Sequence, residues 1–326
     1  MSGVQHLTVT RDEDGMRLDR WFRHHYPQVT QGYLQKLLRK GQVRVDGTKA
    51  KAADRIAEGQ DIRVPPLPDA GAPKDRPKPS LSASDETFLK AITLYEDHDL
   101  LILNKPSGIA VQGGTKTVRH IDGLLAGLGE DKESRPRLVH RLDRDTSGVL
   151  VVAKRRQIAA KMGRMFQTRS VRKIYWAVVH GLPRPPQGKV EAALVKAATP
   201  EGDRVRKARP GEQETAQSAV THYSVVDNAA QKYSWMSLKP VTGRQHQLRA
   251  HMAIIGHPIV GDEKYPFHDG NTLPDAIERR LHLHARRITF PHPATGKTVD
   301  VTAPLPEHMA KTFHELGFES KGEEGD

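Results

Sequence analysis

Ile174-Tyr175-Trp176-Ala177-Val178-Val179 reads as a β-strand, and the apolar runs after it, Val220 to Val226 and Tyr233 to Leu238, read as a further pair. Upstream, Ile92-Thr93-Leu94-Tyr95-Glu96 and Leu100-Leu101-Ile102-Leu103 look like two strands joined across Asp97-His98-Asp99, and Val149-Leu150-Val151-Val152-Ala153 is an apolar strand. Ile158, Met162, Met165 and Phe166 share one helical face, and Gln247 to Ile255 also reads as helix. Strands therefore follow one another without regular helical crossovers. This pattern predicts an α+β fold with a mixed, largely antiparallel sheet rather than a doubly wound one.

The flanks divide the chain. Residues 1–15 read as a polar arm, 16–66 as a small module, 67–85 as a linker, 86–315 as the main domain and 316–326 as an acidic tail. In the small module Leu18, Trp21 and Phe22 share one helical face, as do Leu34, Leu37 and Leu38, with Thr30 placed to cap the second helix. Val43-Arg44-Val45-Asp46-Gly47 then alternates and ends in a hairpin turn signal, and Ile62-Arg63-Val64 closes the module before Pro65-Pro66. The linker, LPDAGAPKDRPKPSLSASD, is rich in Pro, Ala and Ser and lacks apolar periodicity.

The 326 residues carry 51 basic and 39 acidic side chains, a formal charge of +12, and Arg17 to Pro66 alone holds eleven Lys/Arg against five Asp/Glu. Such an excess suggests a polyanionic partner, most simply a nucleic acid. With no cysteine in the chain, disulfides, thiolate zinc sites, iron–sulfur clusters and a cysteine nucleophile are excluded. No run is long and apolar enough for a membrane helix, and a soluble cytoplasmic protein is expected. No apolar interface pattern stands out, so a monomer is expected.

Three polar runs could carry chemistry. His140-Arg141-Leu142-Asp143-Arg144-Asp145-Thr146-Ser147-Gly148 sits at the mouth of the 149–153 strand. It suits an ion-paired carboxylate, and Thr-Ser-Gly can turn tightly and offer backbone N–H groups. A solvated turn is the plainer reading. Phosphoryl transfer is disfavoured, because no glycine-rich nucleotide loop is present. Next, Arg172-Lys173-Ile174-Tyr175 puts Tyr175 on the more polar strand face, a place for base stacking or for an ordinary half-buried tyrosine. Last, Thr242-Gly243-Arg244-Gln245-His246-Gln247-Leu248-Arg249-Ala250-His251-Met252 continues to Asp262, with His282, His284 and His292 later. The spacings do not suit a metal, since there is no His-Glu-x-x-His, and hydrogen bonding in a polar core is the usual role of such histidines.

These three runs, in this order, together with Asn104-Lys105-Pro106-Ser107-Gly108, resemble the RluA-type pseudouridine synthases, which isomerise uridine in structured RNA. The resemblance spans nearly all of residues 86–300. The segment Gly32 to Asp46 looks like the alpha-L RNA-binding module of small-subunit ribosomal protein four. The two together are similar to the RluC/RluD branch, and Arg-Lys-Gly-x-Val-Arg-Val looks closer to RluC. A departure is Gln112, where the pattern has His.

The resemblance implies a catalytic domain with a central cleft, large-subunit (23S) ribosomal RNA or its assembly intermediate as the partner, and no cofactor or metal. It implies Asp143 as the catalytic carboxylate, Tyr175 stacked near the base as a proton acceptor, and Arg244 as the arginine paired with the aspartate. Arg141 and Arg144 are expected at the RNA, Arg144 filling the gap left by a flipped uridine or holding a flanking phosphate. Arg204, Arg206, Lys207 and Arg209, read as a loop, and Lys36, Arg39, Lys40 and Arg44 in the small module are expected on phosphates. The competing reading is a catalytically silent RNA-binding or ribosome-assembly factor of the same fold, and Asp143, Tyr175 and Arg244 together argue against it.

Overall fold

In a computed structural model, residues 3–67, 81–113, 119–129, 134–199, 202–267 and 273–319 are described. The chain forms two compact units, Met1–Lys78 and Pro79–Asp326.

The first unit contains β1 (Gln5–Thr8), α1 (Leu18–His25), α2 (Gln31–Arg39), β2 (Arg44–Val45), β3 (Thr48–Lys49) and β4 (Asp61–Val64), with sheet order β1-β4-β2-β3. Leu18, Trp21, Phe22, Leu34, Leu37 and Leu38 are buried against Val43, Ile62 and Val64, so the helical faces read from spacing are the core faces. Thr30 Oγ1 accepts the Tyr33 N–H at 3.3 Å and caps α2. Asp46 and Gly47 both have positive φ, 47° and 74°, the conformation a two-residue hairpin turn requires. Residues 1–15 are not a free arm. Gln5 to Thr8 pairs antiparallel with Val64 to Asp61, an edge strand held by backbone hydrogen bonds that its polar side chains do not announce.

Most of the stretch read as a linker, 68–80, lies outside the described residues. Its end is helical: Ser82 Oγ accepts the Asp85 N–H at 3.1 Å and caps α3 (Ala83–Ala91), with Asp85 and Glu86 in the favourable first turn. The Ser-Ala-Ser-Asp composition that suggests a linker is a helix start.

The second unit continues with β5 (Thr93–Glu96), β6 (Leu100–Lys105), α4 (Ile121–Ala126), β7 (Arg137–Leu138), β8 (Ser147–Ala153), α5 (Arg156–Gln167), β9 (Arg172–His180), β10 (Gln187–Thr199), β11 (Gly202–Lys207), β12 (Gln217–Ala229), β13 (Tyr233–Pro240), α6 (Gln247–Ile254), β14 (Leu283–Pro291), β15 (Thr298–Thr302) and α7 (Glu307–Glu315). One sheet runs β11-β10-β12-β13-β9-β14-β8-β6-β5, with β15 on β14 and β7 on β8. Only β14–β8 is parallel among its pairings. The fold is α+β with a mixed, mostly antiparallel sheet.

The centre of this sheet positions the site. Every residue of β8 is buried, with Val149 and Val151 in one apolar layer and Leu150 and Val152 in the other. The 140–146 run must therefore end where β8 enters the sheet. Gly148 has φ 109°, and a Cβ there would lie 2.3 Å from the Ala285 carbonyl oxygen. Only glycine lets β8 close onto β14 at this point. Ala285 in turn pairs with Tyr175 of β9, so the Asp143 loop and Tyr175 meet across a single strand.

Two sequence boundaries shift. Residues 196–209 form most of the β10–β11 hairpin rather than a loop. Val205 is buried between Arg204 and Arg206, and its one apolar side chain is hard to see among so many charges. The 316–326 tail is packed through Phe318, which is buried with Trp176, Trp235, Met309 and Phe313; residues 320–326 lie outside the described residues.

The histidines are largely core groups. His282 Nε2 lies 2.8 Å from Thr312 Oγ1, His284 Nδ1 2.9 Å from Ser147 Oγ, and His251 Nδ1 2.9 Å from Thr221 Oγ1. Burial lowers the pKa of His282 and of His284 from 6.5 to about 4. Between pH 6.5 and 4 the unfolded chain binds protons there that the folded chain refuses, so stability is complete above 6.5 and declines as pH falls. Each group removes about 3 kcal/mol across that interval. We expect circular dichroism at fixed temperature to show acid unfolding within this window, and a flat stability from pH 6.5 to 4 would contradict it.

Candidate active site

A cavity of about 760 Å³ opens between the Asp143 loop, β9 and the turn before α6. Asp143, Arg141, Lys173, Tyr175, His246 and Arg249 are among its lining residues. Thr146 donates its N–H to the Asp143 carbonyl at 3.3 Å, closing the tight turn that carries the carboxylate.

The turn is fastened from below by Lys105. It is fully buried, and its Nζ donates to the carbonyls of Pro106, Ile109 and Arg144 at 2.8, 2.9 and 2.9 Å. Three acceptors match the three N–H groups of an ammonium. Burial pulls its pKa down to about 7, while the negative charges of Asp145 and Asp143 act in the opposite direction. Ser107 Oγ donates to the Asp145 carbonyl at 2.8 Å, a second tie between the same loops. The sequence signal for Lys105 is its parity: Leu101, Leu103 and Lys105 share one strand face, and both leucines are in the core.

The arginine beside Asp143 is Arg249, not Arg244. Arg249 Nη1 lies 3.7 Å from Asp143 Oδ2. Its other edge forms a fork on Asp262, Nε to Oδ2 at 2.7 Å and Nη2 to Oδ1 at 2.6 Å. Arg249 is 3% exposed, and the Asp262 side chain is fully buried. Asp262 also accepts the N–H groups of Lys264 and Tyr265. The guanidinium is thus locked by a buried partner and presents its remaining edge to the Asp143 loop. Arg244 lines the cavity but is exposed, and its Nε donates to the Ser218 carbonyl at 3.2 Å. It lies in the turn before α6, whereas Arg249 lies inside that helix and faces inward. The sequence signal is an arginine between Leu248 and Ala250, in the buried stretch Gln247 to Met252 of that helix.

Tyr175 is held protonated: burial raises its pKa, and the nearby Asp143 charge raises it further. A protonated phenol offers a ring face and an O–H but is a poor acceptor for a carbon-bound proton. Lys173, on the same strand face, also has its pKa lowered by burial. His140 stacks on Phe166 at 4.8 Å and accepts the Val151 N–H at 2.8 Å, which anchors the start of the run to β8.

Residues 99–254 match the family described as RNA pseudouridylate synthase. A Vibrio cholerae protein named ribosomal large subunit pseudouridine synthase C is 35% identical over 322 residues, covering 96% of this chain and 97% of its own. The chain belongs to the RNA pseudouridylate synthase family. The Escherichia coli K12 protein of the same name is 34% identical over 324 residues, with the same coverage. A solved structure of Human RNA Pseudouridylate Synthase Domain Containing 4 is 30% identical with TM-score 0.58, covering 72% of this chain and 97% of that one.

For a synthase of this family the remaining basic residues divide by exposure. Arg141 is exposed at the cavity. Arg144 is exposed as well, and its Nε donates to the Gly108 carbonyl at 3.0 Å. Arg206 is engaged by Glu212 in a fork of 2.7 and 2.6 Å, and Arg204 lies 4.7 Å over the Tyr265 ring. Lys207 and Arg209 are exposed. In the first unit Lys36, Arg39, Lys40 and Arg44 are all exposed, although Arg44 donates to the Gly41 and Gly47 carbonyls of its own turn. Among the described residues one group could gather a metal, Glu13 with His24 and His25, but the Glu13 carboxylate is already taken by His25 and the Thr10 N–H. No described helix is long and apolar enough to cross a membrane.

Proposed function

We propose that this chain converts uridines of large-subunit ribosomal RNA to pseudouridine, with Asp143 as the catalytic carboxylate. One observation carries the reading: a carboxylate at the wall of a 760 Å³ cavity, 3.7 Å from a buried arginine that another carboxylate holds in place. The reaction breaks the C1′–N1 bond, turns the uracil and joins C1′ to C5. C5 gives up its proton and N1 ends with one, so no atom is gained or lost and no redox partner is required. The Arg249 guanidinium faces the Asp143 carboxylate at 3.7 Å and supplies the positive charge on that side of the cleft.

Tyr175 supplies the ring face against which the target base packs. Arg141, an exposed cation at the cavity beside Asp143, meets the phosphate next to the flipped nucleotide. Arg144, tied to Gly108, keeps the loop in shape. The small unit acts as an alpha-L module whose Lys36, Arg39 and Lys40 grip the RNA backbone without reading sequence.

The test uses large-subunit ribosomal RNA transcribed with tritium at uracil C5. The purified chain should release tritium from it and not from a small-subunit transcript carrying the same label. Equal release from both transcripts would overturn the assignment to the large subunit. Release from neither would overturn the substrate.

A further inference from the structure

We infer that His246 donates a hydrogen bond from Nε2 to a carbonyl oxygen of the target uracil, and so stabilises the base while it is detached from the sugar. The inference rests on the proposed reaction. Three structural observations lead to it. His246 lines the same cavity as Asp143 but is only 8% exposed. It is the residue before α6 and has left-handed backbone geometry, φ 51° and ψ 18°, an uncommon state for a non-glycine residue. Finally, its Nδ1 is buried with no hydrogen-bond partner, and among the described residues no partner is found for Nε2 either.

These observations favour one tautomer. A neutral imidazole carries one proton. A proton on the sealed Nδ1 would be a buried donor with no acceptor, which costs about 1–3 kcal/mol. The proton therefore sits on Nε2, the ring nitrogen left to the cavity. Burial also keeps the ring neutral despite the Asp143 charge nearby. A neutral donor in a water-poor wall is suited to an acceptor whose charge is spread, rather than to a phosphate, for which this chain offers exposed Arg and Lys. The acceptor that gains such charge is uracil after C1′–N1 cleavage, when the electron pair is shared between the ring and its carbonyl oxygens. A preset donor stabilises that anion without reorganising, and a neutral imidazole can do so without surrendering its proton.

The helix-start geometry makes the test sharp. Asn tolerates the left-handed region best among non-glycine residues but reaches only as far as Nδ1. Gln is less suited to that backbone yet places an amide N–H near the Nε2 position. A purely structural role predicts that His246→Asn is the milder change; the donor role predicts the reverse. Wild type, His246→Asn and His246→Gln are compared in single-turnover tritium release, with thermal melting and RNA filter binding run alongside. We expect His246→Asn to melt like wild type, bind RNA equally and react about 100-fold more slowly. His246→Gln is expected to stay within about 10-fold of wild type, because it restores a donor. His246→Asn at wild-type rate, or slower than His246→Gln only in proportion to weaker RNA binding, would overturn the inference. Absence of release by wild type itself would instead overturn the proposed reaction, and the inference with it.

Discussion

Asp143→Asn should lose pseudouridine formation by at least about 10³-fold, because on the proposed reaction an amide replaces the carboxylate that attacks, or takes a proton, at the reacting sugar or base. The fold should not notice. The Asp143 side chain is 18% exposed, and its ion-pair partner, Arg249, stands at 3.7 Å and keeps its fork on Asp262. The turn itself depends on backbone groups, the Thr146 N–H on the Asp143 carbonyl and Lys105 on the Arg144 carbonyl. A stability change within about 0.5 kcal/mol is therefore expected. RNA affinity should hold or rise, since phosphate contacts dominate it and one negative charge is gone. Single-turnover tritium release, filter binding and thermal melting on the same preparation measure all of this. Intact release from Asp143→Asn would remove the carboxylate from the chemistry and reopen the reading of a silent RNA-binding protein.

How far the sequence reveals this site depends on what each residue does. Asp143 and Tyr175 are readable because each belongs to a local pattern: a charged turn running into an apolar strand, and an alternating strand with one polar face. The fold class is readable for the same reason, since strand runs without crossovers leave few alternatives. The Asp143–Arg249 contact is not local. It depends on α6 turning Arg249 inward, which is settled by Asp262 thirteen residues later and by Leu248 and Met252 packing below the sheet. Arg244, equally basic and nearer the glycine turn, is indistinguishable from it by composition. Lys105 escapes attention because a lysine ending a strand reads as surface, and only the burial of Leu101 and Leu103 shows otherwise. Gln5 to Thr8 and the β10–β11 hairpin are missed for a common cause. β1 and β11 each carry a single large apolar side chain, Leu7 and Val205, among polar ones and are held by backbone ladders, so hydrophobic periodicity has little to report.

Arg249→Met should be the most damaging single change to stability in the cleft. It leaves the Asp262 carboxylate fully buried with only two backbone N–H groups, and stranding a buried charge in this way costs about 3–5 kcal/mol. It also removes the cation facing Asp143, so the surviving folded protein should show no measurable tritium release. Arg249→Lys keeps a charge but cannot form the fork on Asp262 while reaching Asp143, and it should be less stable than wild type and slower. The two losses can be separated. Pairing Arg249→Met with Asp262→Leu removes both buried charges, and such replacements commonly restore stability. The double variant should melt above Arg249→Met yet remain inactive, because the guanidinium that faces Asp143 is gone. If it recovered both its melting temperature and its activity, Arg249 would be only a structural partner of Asp262, with no part in the chemistry at Asp143.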